Sequence, residues 1–140
     1  MARVNCIRRK VQEKGENWIV SETPESIQRM IKNVVKDIIY GNFNYEADSK
    51  YILDPKVLDN LIIAAEIERD DNCLYYHAMT TYMQIYPTQP NLAGHQFKFN
   101  ALWYIYGTIT DKLRAVKATG NIGWLADTPS ILGSYKNYIN

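Results

Sequence analysis

No run of this sequence approaches the roughly 18 consecutive apolar residues that a membrane-spanning helix needs. Arg3, Arg8, Arg9 and Lys10 crowd the first segment, but the apolar stretch of about 7 to 15 residues that completes a signal peptide does not follow them. The chain therefore reads as soluble and not secreted, with the cytoplasm of a host cell or the inside of a virus particle as the expected setting. Cysteine is scarce as well. Cys6 and Cys73 stand alone, without a CxxC pair or zinc-knuckle companions, so they read as reduced thiols.

Histidine occurs twice. His77 lies four residues after Cys73, which on a helix makes half a metal site, but no second pair completes it. His95 falls on a helix seam, where a hydrogen bond between helices is the simpler use. The acidic group Glu66, Glu68, Asp70 and Asp71 lacks the alternating ligands, central glycine and closing glutamate of a calcium loop. The seven glycines are isolated, so no GxGxxG or GxxxxGK[ST] phosphate loop is present, and neither GxSxG nor HExxH occurs. These absences argue against an enzyme and give no reason to expect a cofactor or a metal.

What the sequence does contain is helical periodicity. Leu92, His95, Phe99, Leu102, Tyr106, Ile109, Leu113 and Val116 recur at spacings of 3 and 4, the seam of a long amphipathic helix. Asn91 suits its N-cap, and Gly120 can take the left-handed conformation that ends it. Thr23 with Pro24 opens a second helix, expected to end near Tyr40 and Gly41, with Ile27, Ile31, Val34 and Ile38 inward. Residues 42–53 read as an aromatic loop folded over the core or onto a neighbour. Asp54 with Pro55 repeats the cap and proline and starts a helical region to Tyr86, whose polar interval at Glu68 to Asn72 allows either one long helix or two, with a break or kink near Asp70 favoured. Pro87 and Pro90 bracket a stiff connector between antiparallel helices. Residues 121–127 read as a turn region, and Thr128 with Pro129 begins a short closing helix. For residues 1–20 the turn signal Lys14 to Asn17 and the run Trp18 to Val20 favour a β-hairpin. The spacing of Val4, Ile7 and Val11 leaves a short helix ending at Gly15 as the alternative. The expected fold is mainly α. It is a single domain over 1–140, a small bundle of three long helical segments and a short C-terminal helix, with an N-terminal hairpin or arm ahead of a helical core over 21–140.

Charge is unevenly laid out. Residues 1–36 hold 8 Lys/Arg against 4 Asp/Glu, residues 37–72 hold 3 against 9, and residues 73–140 hold 5 against 2. Such blocks commonly neutralise one another within a chain, and they also suit subunits packed head to tail. The basic group Arg3, Arg8, Arg9, Lys10 and Lys14 is the candidate contact for nucleic acid. Eleven tyrosines make the aromatic content conspicuous. Tyr75, Tyr76, Tyr82, Tyr86, Trp103 and Tyr104 spread too widely around two helices to share one seam, so some are expected to meet another chain. The expected function is that of a non-enzymatic, oligomeric assembly protein, a ring, connector or coat element of a phage or virus particle. The alternative is a small regulator that sequesters a nucleotide-like ligand, or one that touches nucleic acid through its basic segment. Deletion of residues 1–14 is expected to leave a folded core that no longer assembles.

Overall fold

The first local decisions are made by caps. Thr23 accepts a hydrogen bond from the Ser26 backbone N–H at 3.1 Å, and the Ser26 hydroxyl accepts one from the Thr23 N–H at 2.9 Å. With Pro24 at the first position, this reciprocal pair starts the helix Pro24–Ile39, and Gly41 at φ +75° turns the chain out of it. In the computed structural model, which describes residues 5–88, 92–126 and 130–139, the chain is helical, with no strand among those residues.

The helices are α1 (Cys6–Lys14), α2 (Pro24–Ile39), α3 (Tyr45–Ile52), α4 (Pro55–Ile85), α5 (Leu92–Thr119), α6 (Gly123–Ala126) and α7 (Ser130–Ser134). Single 3-10 turns sit at Trp18–Ser21 and Lys136–Tyr138. The two long helices form an antiparallel hairpin. Asp59 pairs with Lys117 and Glu66 with Arg114 near one end, while Thr80 meets Gln96 near the other. The shorter elements gather around the end where α4 begins and α5 finishes. There Ile31, Val34, Leu61, Ala65, Ile109, Leu113 and Val116 are buried together with Trp18 and Ile7.

The N-terminal β-hairpin is not formed. Asn5 caps α1 by accepting from the Arg8 N–H at 2.9 Å, and Gly15 at φ +87° closes it. The helical spacing of Ile7 and Val11 prevails, because Ile7 then enters the core with no exposed surface. Trp18 and Ile19 bury from a 3-10 turn instead of a strand. Nor is the segment an arm: its loss would open the core that it helps to fill.

Three further expectations change. Residues 42–53 contain α3 in place of a continuous loop. Asn44 accepts from the Ala47 N–H, Glu46 and Asp48 sit in the positive first turn, and Phe43 and Ile52 are buried. Helix α4 runs through Asp70 without a break. The interval has neither glycine nor proline, Glu68 and Asn72 turn inward, and Arg69 pairs with Asp70 at 3.0 Å. The region around Trp124, read as a turn, holds the short α6, whose Leu125 is buried. Asn91, Pro90, Thr128 and Pro129, on which the connector and two starts were argued, lie outside the described residues, as do Arg3 and Val4.

Candidate interaction surface

Burial along α5 is graded. Val116, Leu113, Ile109 and Tyr106 are buried, Leu102 and Phe99 are half-buried, and His95 is exposed. The seam predicted from periodicity is therefore real only in its C-terminal half. Over the other half, among the described residues, α4 and α5 pack against each other and the C-terminal turn, and the outer face of α4 stays uncovered.

Helix α4 carries the main consequence. Ile63, Ile67, Leu74 and Ile85 are 57%, 44%, 65% and 62% exposed. At 3.6 residues per turn they fall within a sector of about 40° and extend along about 33 Å of the helix. Tyr76 and Thr80, which meet Trp103 and Gln96 of α5, lie on the opposite side. The stripe thus faces away from the hairpin partner. Near the tip Tyr82 and Tyr86 flank it, their rings 4.7 Å apart and exposed. Tyr75, also exposed, packs its ring 5.4 Å from that of Phe99.

The six aromatic residues singled out in the sequence divide into two groups. Tyr76 and Trp103 are half-buried, with ring centroids 5.8 Å apart, and fill the space between the helices. Tyr75, Tyr82, Tyr86 and Tyr104 are exposed. Tyr104 has a neighbour within the chain, the Tyr135 ring at 6.2 Å, and Phe97 meets Tyr135 and Tyr138 in the same way. The C-terminal turn therefore lies along α5 and leaves the α4 side open. The aliphatic stripe is not among the residues expected from the sequence, because scattered exposed aliphatics on a long helix are common and carry little signal one by one. Its signal is the recurrence of Ile63, Ile67, Leu74 and Ile85 on a face separate from Leu58, Leu61 and Ala65.

The basic group is largely occupied. Arg8 donates from Nε and Nη2 to the two carboxylate oxygens of fully buried Asp48, each at 3.0 Å. The hydrogen bond to Asp48, only partly opposed by burial, raises the Arg8 guanidinium pKa further. Lys10 and Lys14 both pair with Glu22, at 3.0 and 3.2 Å. Burial pushes the Glu22 carboxyl up, but the Ser26 hydroxyl and the two lysines outweigh it and hold its pKa at about 2. Arg9 is exposed. The positive block at the N-terminus is thus met inside the chain, by Asp48 and Glu22.

His77 contacts Trp103 and Tyr76 with ring centroids 5.6 and 5.3 Å away. Among the described residues no three His, Cys, Asp or Glu side chains converge to hold a metal ion, and no helix is long and apolar enough to cross a membrane. No family model, curated protein or solved structure matches the chain.

Proposed function

We propose that this protein is a non-enzymatic assembly subunit that pairs with a second copy of itself through the outer face of α4. The observation that carries the reading is the stripe Ile63, Ile67, Leu74 and Ile85, exposed on one face of a helix whose other side is already packed. A hairpin of two helices has little interior of its own, and two such hairpins packed face to face make a four-helix bundle. Charge favours a second copy as the occupant. Residues 73–86 contain no Asp, Glu, Lys or Arg, and residues 92–104 contain only Lys98. That half of the stripe does not repel its own copy; around Ile63 and Ile67 the acids Asp59, Glu66 and Asp70 are each paired within the chain, with Lys117, Arg114 and Arg69, and symmetric pairing sets identical stripes against each other.

Magnitudes indicate how far the contact extends. Burying a fully exposed aliphatic side chain contributes about 1.5–3 kcal/mol. Eight that are already half covered, four from each copy, supply roughly 6–12 kcal/mol, against about 4–15 kcal/mol for the lost freedom of association. The stripe alone is marginal, so Tyr82 and Tyr86 beside it belong to the contact. The setting we put forward is a ring, connector or coat element of a phage or virus particle, which needs contact surfaces and no turnover. Sedimentation over a concentration series tests the pairing. Leu74→Asp combined with Ile85→Asp should leave the circular dichroism unchanged and abolish association, whereas unaltered association in this variant refutes the assigned face.

A further inference from the structure

A second feature lies further round α4 from the stripe, towards α5. Between α4 and α5, beside Lys32 of α2 and the C-terminal turn, is a cavity of about 380 Å³, within the size range of small-molecule sites. Its floor is polar. Glu68, Asn72 and Tyr106 are only 9%, 5% and 3% exposed. Glu68 Oε1 accepts from Gln28 Nε2 at 3.1 Å and lies 3.6 Å from Lys32 Nζ. Its other oxygen has no donor among the described residues. Asn72 donates its Nδ2–H to the Glu68 carbonyl at 2.8 Å, which leaves its carboxamide oxygen without a donor there. The Tyr106 hydroxyl makes no hydrogen bond among the described residues. None of these three open atoms is sealed from solvent, so each can take a hydrogen bond from a molecule in the cavity.

The mouth has its own pattern. Asp71 and Lys98 line it, and neither forms an ion pair among the described residues. With Lys32 and Glu68 they make a lining of two positive and two negative charges, which suits a ligand bearing one of each. The Phe99 ring and the Leu102 side chain supply apolar wall. Burial, reinforced by the Glu68 carboxylate, raises the Tyr106 phenol pKa, so this hydroxyl stays protonated and able to donate.

From this arrangement we infer that the cavity binds a free α-amino acid with an apolar or aromatic side chain. The ligand ammonium has three N–H donors for the open oxygens of Glu68 and Asn72. Its carboxylate takes the Tyr106 hydroxyl and Lys98, and its side chain rests on Phe99 and Leu102. Neither an amine without a carboxylate nor a carboxylate without an amine satisfies both halves.

Isothermal titration calorimetry of the full chain with L-phenylalanine, 2-phenylethylamine and 3-phenylpropionate tests this. L-Phenylalanine should bind with a Kd below about 1 mM and at least tenfold more tightly than either analogue, a difference in line with lost charged hydrogen bonds. Glu68→Gln and Tyr106→Phe should each weaken it roughly tenfold or more. Lys98→Ala, at an exposed position with no hydrogen bond or ion pair among the described residues, should weaken L-phenylalanine and leave 2-phenylethylamine unchanged. No heat of binding from L-phenylalanine, equal affinity for all three compounds, or undiminished affinity in the Lys98→Ala protein would each overturn the inference.

Discussion

Asp48 has no exposed surface, yet its carboxylate answers four donors: Asn5 Nδ2, Arg8 Nε and Nη2, and the Asn44 backbone N–H. A buried carboxylate is tolerated only when it is so fully paired. Its partners come from α1 and from the cap of α3, so one side chain fastens the N-terminal helix to the fold. Breaking a buried pair costs about 3–5 kcal/mol. Arg8 is partly solvated, which places Asp48→Asn near the lower end, at about 3 kcal/mol, read from the denaturant midpoint. Glu22 makes a pH-dependent contribution of the same kind. Its folded pKa of about 2 lies below the ordinary 4.5, so the stabilisation is fully present above pH 4.5 and is lost as pH falls through 2. Wild type should therefore exceed Glu22→Gln in stability at pH 7, and the difference should shrink between pH 4.5 and 2. A difference that stays constant over that window would show that Lys10 and Lys14 do not hold the carboxylate.

At the scale of elements, what the sequence made legible depended on signals that act locally. Thr23 with Pro24 and Asp54 with Pro55 started α2 and α4 as read, because a cap and a first-turn proline work within a few residues. The missed elements are those settled by tertiary contact. Nothing near Asp70 reveals that Glu68 will be needed inside, by Gln28, so the polar interval looked like a break. For α1 the sequence leaves hairpin and helix both open, because Gly15 fits a helix stop and a hairpin turn equally well, and only the burial of Ile7 decides for the helix. The candidate surface was legible in part: two helices with surplus aromatics could be read, but which of them the C-terminal turn would cover could not. The grading of α5 gives a direct check. Leu113→Ala, at a site without exposure, should cost about 2–5 kcal/mol. Leu102→Ala, half-buried beside the cavity, should cost nearer 1 kcal/mol. Equal losses in the denaturant midpoint would mean that the distal half of the hairpin is packed as tightly as its base.

For the whole molecule, the charge blocks and the apolar stripe imply different modes of association. Had Arg8, Lys10 and Lys14 been free, a head-to-tail contact with the acidic middle of the chain would be the natural one, and salt would weaken it. They are engaged by Asp48 and Glu22 within the chain, and the open face of α4 is uncharged over residues 73–86. Association through that face should hold or strengthen as salt rises, because screening has little to act on while apolar burial is unaffected or favoured. Removal of residues 1–14 should unfold the protein, not merely dissociate it, since Cys6 and Ile7 leave the core with them. The native mass by light scattering, taken on the full chain from low to high salt, bears most directly on whether α4 makes a subunit of this protein. A mass at an even multiple of 16.2 kDa that persists as salt rises is the predicted result; a mass of one chain at every concentration and every salt would contradict it.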